Sequence, residues 1–238
     1  MKVVITQPML FPWVGLLEQI MLADVLVNYA DVQFSKGSFT NRVQIKEPAG
    51  TRWMTVPLEK FHLGARIDEV KPATNVDWRA QHLRMLEQAY EAAPHASDML
   101  TLVRSVYEAD YPNMGELALA SMRAVCRYLG IELDRKFVDS PELDIPGRNT
   151  DRVLAIVQKL QGDTYITGHG AKNYLAHAEF EQHGIAVEYM NYAMRPYPQL
   201  HGVFTPFVSS LDLIANHGPA GKQYMCPQTL NWREFIHE

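Results

Sequence analysis

Amide, carboxylate and guanidinium groups crowd the first 42 residues of the chain: Gln7, Asp31, Gln33, Lys36, Asn41 and Arg42, with Trp13 among them. This is more hydrogen-bonding capacity than two turns require. It suits a small polar ligand, with Asp31 as a carboxylate able to take a proton from an amine. A second set comes much later, in Gly168-His169-Gly170-Ala171-Lys172. Glycines at a strand-to-helix turn let backbone N–H groups approach an anion, and the helix start adds partial positive charge. Lys172 adds a full charge, and His169 is the second candidate proton acceptor. The spacing matches neither a phosphate-loop motif nor a dinucleotide fingerprint. Between 190 and 207, a Pro- and aromatic-rich segment offers Arg195, Tyr197, Gln199 and His201 as polar tips for a ligand wall. The plainer alternatives are turn caps at Gln7 and Asp31, a surface charge at Arg42, a surface turn around His169 and a self-packed loop around Tyr197.

The elements that must position these groups read as an α/β protein with a Rossmann-like, mostly parallel sheet and a helical insertion. Val3 to Ile5 is a short buried strand ended by Gln7-Pro8, Phe11 to Ala23 has helical apolar spacing, and Val25 to Val27 is a second strand. Ser35 to Gly50 reads as a polar connection before a strand at Trp53 to Leu58, and Ile67 to Val70 as a further short strand. Three helices then follow without a strand, capped or opened by Asn75, Ser97 and Pro112, and they form an insertion over 75–130 within one domain of 1–238. Phe137-Val138 is a short strand, Asn149 or Thr150 caps a helix stopped by Gly162, and Tyr165-Ile166-Thr167 is a strand. A helix from the glycine turn to His183 leads to a strand at Ile185 to Tyr189. Ser209 or Ser210 opens a last short helix, and the tail from Pro219 reads as peripheral. In such a sheet, ligands gather beyond the carboxyl ends of the strands, where both polar sets fall. Trp13 and Trp53 are expected to pack the core and touch the site only at its edge.

Composition narrows the partners. A net charge of -5 gives no footprint for duplex nucleic acid. Apolar runs are too short for the ~20 residues that span a bilayer. Cys126 and Cys226 stand far apart, which suits a reducing cytoplasm and supports neither a disulfide framework nor a thiolate metal site. His82 and His95 read as ordinary helix-face histidines, and His177 and His183 lack metal-ligand spacing. No metal is expected, and no pattern names a cofactor.

Gln7-Pro8, Phe11-Pro12-Trp13-Val14-Gly15, Asp31-Val32-Gln33-Phe34, Asn41-Arg42 and Trp53-Met54-Thr55-Val56-Pro57 together resemble the WbqC-like family, named after a protein of O-antigen gene clusters. Tyr165 to Gly170, Tyr174-Leu175 and Ser210-Leu211-Asp212-Leu213 extend the likeness over nearly the whole chain. Ala30 stands where the family pattern has an acidic residue, and Val43 where it has Asn. The resemblance implies a role in cell-surface polysaccharide or modified-sugar assembly, which joins the cytoplasmic location that the cysteine usage suggests. It further implies a transferase passing an acyl or aminoacyl group to an amine on a small polar substrate, such as a nucleotide sugar. Two other readings stand beside it: ATP-dependent nucleotidyl transfer or ligation on a carboxylate, though the paired histidines of that class are missing, and a non-catalytic binding subunit of a biosynthetic complex.

Overall fold

The computed structural model describes residues 1–237. The chain opens with β1 (Lys2–Thr6), α1 (Val14–Leu22) and β2 (Val25–Asn28), followed by a hairpin of β3 (Arg42–Glu47) and β4 (Gly50–Thr55). Three helices come next, α2 (Trp78–Tyr90), α3 (Ala96–Tyr107) and α4 (Met114–Tyr128). Then follow β5 (Phe137–Asp139), α5 (Asn149–Lys159), β6 (Thr164–Thr167), α6 (His177–Gln182), β7 (Ala186–Met190), α7 (Ser210–His217), β8 (Thr229–Asn231) and α8 (Trp232–Phe235).

Six strands form one sheet in the order β5-β2-β1-β6-β7-β8. The first five are parallel to their neighbours, and β8 is antiparallel to β7. The order runs one way from β1 through β2 to β5 and the other way from β1 through β6 to β7, so the connection reverses between β1 and β6. This is the Rossmann-like arrangement expected from the strand-helix-strand pattern.

The apolar runs are continuous because both faces of the sheet are covered. Alternation divides them: Val4, Leu26 and Ile166 pack with α1, α2 to α4 and α7, whereas Val3, Ile5, Val27 and Tyr165 pack with α5, α6 and α8. His82 ties the helical layer to the hairpin. Its Nε2–H donates to the Thr55 carbonyl at 3.0 Å and its Nδ1 accepts from the Tyr107 hydroxyl at 2.9 Å, a pairing that fixes the neutral tautomer.

Several local expectations need correction. The stretch Ser35 to Gly50 contains β3, in which Val43, Ile45 and Lys46 are buried between the more accessible Arg42, Gln44 and Glu47. Ile67 to Val70 is a turn; Ile67 and Val70 are buried, and Ile67 and Asp68 donate backbone hydrogen bonds to Val32 and Ala30. The cap of α2 is Asp77, which accepts from Ala80 N, and that of α4 is Asn113, which accepts from Glu116 N; α3 begins after His95 without a side-chain cap. The first helix starts at Val14 because Phe11 has a positive φ of 34° and Trp13 is extended. The tail is part of the sheet: β8 pairs with β7, and Phe235 stacks on Tyr189 at 4.2 Å.

The glycine turn also differs from expectation. It leads into a 3-10 turn, His169–Asn173, and α6 begins only at His177. Thr150 holds this break: its hydroxyl donates to the Tyr174 carbonyl and accepts from Ala176 N. Irregular backbone, rather than an α-helix start, therefore follows β6.

Candidate functional site

A cleft of about 500 Å³ lies at the carboxyl ends of β1 and β6, where the strand order reverses. Its size falls within the range of small-molecule sites, and its position is where open α/β sheets bind ligands. Gln7, Pro8 and Met9 line it from the loop after β1, Thr167 from the end of β6 with Gly168 and Gly170 from the loop that follows, and Tyr29 from just beyond β2. Trp13 and Gln19 reach it from the start and middle of the first helix, and Gly37 to Thr40, Tyr174 and Tyr192 complete it. Among the described residues no charged side chain lines it. Its chemistry is that of amides, hydroxyls and aromatic rings.

The Phe-Pro-Trp-x-Gly segment is clamped in place from two sides. Phe11 N donates to Ser121 Oγ at 2.8 Å, while Ser209 Oγ donates to the Phe11 carbonyl at 2.7 Å and Ser210 N to that of Pro12 at 2.9 Å. The Ser210-Leu211-Asp212-Leu213 motif thus supports the cleft from behind. Trp13 then folds back over its own helix, and Gly15 makes room for it: a Cβ at Gly15 would stand 2.3 Å from the indole. Ala is the better helix former by roughly 1 kcal/mol. Gly15→Ala should nevertheless destabilise the protein, by roughly 1–3 kcal/mol for an overpacked site, and shift Trp13 fluorescence. Higher stability in urea unfolding would show that the indole does not rest on this glycine.

Asp31 lies beside the cleft rather than in its lining. It forms an ion pair with Arg152 and accepts from Ser140 Oγ at 2.5 Å. Burial raises its pKa, but the bonds from Arg152 and Ser140 outweigh burial and leave it below the usual carboxylate range. Arg152 also donates through Nε to the Ile145 carbonyl at 2.8 Å, and its guanidinium lies 4.8 Å from the centre of the Tyr29 ring. The pair therefore stands behind a tyrosine that lines the cleft. Burial holds the Tyr29 hydroxyl above its usual range against the pull of Arg152, so at neutral pH it is protonated and can donate.

Gln7, Trp13, Gly168 and Gly170 meet at the cleft. His169, between the two glycines, donates through Nε2–H to the Met190 carbonyl at 2.8 Å and packs on Tyr192 and Phe235, which leaves Nδ1 with its lone pair. Lys172 is exposed, with its ammonium 5.1 Å from the Phe235 ring centre. Gln33 is exposed and bridges to Arg66, and Lys36 is exposed near Phe61. Asn41 donates to the Val56 carbonyl at 3.0 Å, and Arg42 lies 4.0 Å from the centre of a Trp53 ring. Trp53 is 38% exposed, so it is a surface partner of Arg42 rather than a core residue. Tyr197 is buried away from the cleft lining, where it and Tyr90 donate to the two oxygens of Asp212 at 3.0 and 3.1 Å.

Tyr29 and Thr167 are not singled out by the sequence as site residues, although both sit at or just beyond strand carboxyl ends, and Tyr192 belongs to the 190–207 segment read as a ligand wall without being one of its named polar tips. Tyr174 lies in one of the resemblance motifs. Gln19 had no such signal: it sits in an apolar helix run, and its amide donates to the Ile166 carbonyl at 3.2 Å. Among the described residues no group of three or more His, Cys, Asp or Glu side chains is placed to hold a metal ion. No helix among them is long and apolar enough to cross a membrane.

An open, mostly parallel α/β sheet with a ligand-sized cleft at its switch point defines the general class. The chain belongs to the WbqC-like protein family, whose model matches residues 7–224. It is also 31% identical over 229 residues to the uncharacterized protein Rv1507c of Mycobacterium tuberculosis (strain ATCC 25618 / H37Rv), covering 94% of this chain and 97% of that one. No solved structure matches the chain.

Proposed function

We propose that the cleft binds a small polar, sugar-nucleotide-linked substrate and that the protein is a transferase, moving an acyl or aminoacyl group to an amine in cell-surface polysaccharide or modified-sugar biosynthesis. The observation that carries the reading is the cleft at the β1/β6 switch point, with uncharged hydrogen-bonding groups and aromatic rings together in its lining. Gln7, Thr167 and Gln19 offer amide and hydroxyl partners for ligand hydroxyls, and the rings of Trp13 and Tyr192 cover apolar ring faces. Family membership supports the biosynthetic setting.

In the reaction, the amine nitrogen attacks the acyl carbonyl carbon, the new N–C bond forms, and the bond to the leaving group breaks. The proton lost by nitrogen is assigned to Nδ1 of His169, which sits between the two cleft-lining glycines although its own side chain is not part of the lining, and it passes from there to the leaving group. Tyr29 donates to the carbonyl oxygen as negative charge develops on it. Asp31, occupied by Arg152 and Ser140, acts by holding the floor behind Tyr29.

The test is to incubate the protein with amino-sugar nucleotides and acyl or aminoacyl donors and to read product masses. A mass gain equal to the acyl group, lost in His169→Gln by on the order of 10²–10⁴-fold, is the expected result. Binding without turnover across the donor set would favour a non-catalytic subunit. The switch-point position also suits a nucleotide, so ATP belongs in the panel. ATP-dependent release of AMP or pyrophosphate would favour the ligase reading.

A further inference from the structure

The uncharged lining leaves open where the negative charge of a ligand is met, and the Gly168 turn is a weak candidate. It opens on a five-residue 3-10 turn, and Lys172 lies against Phe235. A different stretch of the rim carries an unmatched cation. Among the described residues, no carboxylate forms an ion pair with the Arg42 guanidinium, and its Nε is buried without a partner. Arg66, Arg104, Arg152 and Arg233, by contrast, are each met by a carboxylate.

Arg42 is also held in place. Its guanidinium packs on Trp53 at 4.0 Å, which fixes the plane of the donor fork before any ligand arrives. The loop closes over it at Gly37, whose φ is 77° and where a Cβ would stand 2.9 Å from Arg42 Nη2. Gly37 and Ser38 line the cleft, so Arg42 and the cleft share a wall. Two further groups on this stretch are unpaired: the buried Ser38 hydroxyl and the Oδ1 of Asn41, a residue only 7% exposed. The first can donate to an oxyanion and the second can accept from a neighbouring ligand hydroxyl. Lys36 adds a second, exposed charge.

We infer that the Lys36 to Arg42 stretch is a phosphate subsite on the rim of the cleft, with Arg42 as its main donor, for the phosphate of the compound whose uncharged part occupies the cleft. The inference rests on the cleft being the substrate site, but not on the transfer chemistry. A planar fork and a hydroxyl on one stretch, with a lysine six residues before the arginine, suit a multiply charged tetrahedral anion better than a carboxylate.

Titration calorimetry with inorganic pyrophosphate tests the subsite without the cleft. Wild-type protein should bind it, with affinity falling as salt rises. Arg42→Ala should weaken binding roughly 10- to 100-fold, and Arg42→Lys, which keeps the charge and loses the fork, should recover only part of it. Gln7→Ala should leave pyrophosphate affinity unchanged while weakening a sugar nucleotide, so failure of the cleft reading and failure of the subsite are distinguishable. Unfolding of Arg42→Ala, checked by circular dichroism, would pass the decision to Arg42→Lys, which keeps a long cationic side chain beside Trp53. No binding to wild type, binding by Arg42→Lys equal to wild type, or an equal response to acetate would each overturn the assignment.

Discussion

Replacing Arg152 with Ala should cost about 3–5 kcal/mol of stability in urea unfolding at neutral pH, because it strands a buried carboxylate. The Arg152 and Asp31 side chains are 7% and 13% exposed, so water screens the pair little. The change would also free the Ile145 carbonyl and the face of the Tyr29 ring, leaving Asp31 with the Ser140 hydroxyl as its side-chain partner. Desolvating two charges is itself costly, so the pair is not a large net source of stability. The double variant Arg152→Met with Asp31→Leu should therefore recover most of the loss. A loss below about 1 kcal/mol in the single variant would mean that the pair behaves as a solvated surface contact.

Stability should fall steadily as the pH drops from about 6.5 to about 4, and His82 is the cause. Burial lowers its pKa from 6.5 to about 4, with the bond to the Thr55 carbonyl opposing. Between those values the unfolded chain takes up a proton that the native state excludes, so acidification favours unfolding, by on the order of 3 kcal/mol across the window. Asp31 extends the decline further. Its folded pKa is lowered, so its contribution is present above the ordinary carboxylate value and is lost as the pH falls through the folded value. Gln at position 82 can still donate to Thr55 and accept from Tyr107. His82→Gln should therefore flatten the limb between 6.5 and 4 and leave the part below 4 in place. An unchanged limb would assign the acid sensitivity to other groups.

The parallel sheet was legible because β1, β2 and β6 are short, β-branched and bounded by polar residues, as strands buried on both faces must be. β3 was hidden by its composition: Arg42, Gln44 and Lys46 make it look like a connection, although Lys46 is buried and donates to the Val203 carbonyl at 2.6 Å. The tail was misjudged for a related reason. Three residues, Thr229–Asn231, carry too little pattern to announce a strand, and only the free edge of β7 gives them a place. Within the site, residues at strand carboxyl ends could be found by rule, which placed Gln7, Gly168 and Gly170 on the cleft. Tertiary contacts decided the rest. Tyr197 turned toward Asp212, and Asp31 toward an arginine 121 positions away, neither of which spacing in the chain can reveal.

The motifs that carry the family resemblance divide along the same line. Gln7-Pro8 and Trp13 reach the cleft, Phe11 and Ser210 brace the segment leading into Trp13 through hydrogen bonds outside the cavity, and Asp212 accepts from Tyr90 and Tyr197 away from the cleft lining. Asn41 belongs with the bracing set through Val56, yet its free Oδ1 also faces the ligand question.

The most direct measurement is a co-crystal structure with whichever sugar nucleotide most raises the melting temperature. Its ring is expected among Gln7, Trp13, Thr167 and Tyr192, with its phosphates toward Ser38 and Arg42. Density for the ligand on another face, with the β1/β6 cleft filled only by water, would contradict the assignment of this cleft as the substrate site.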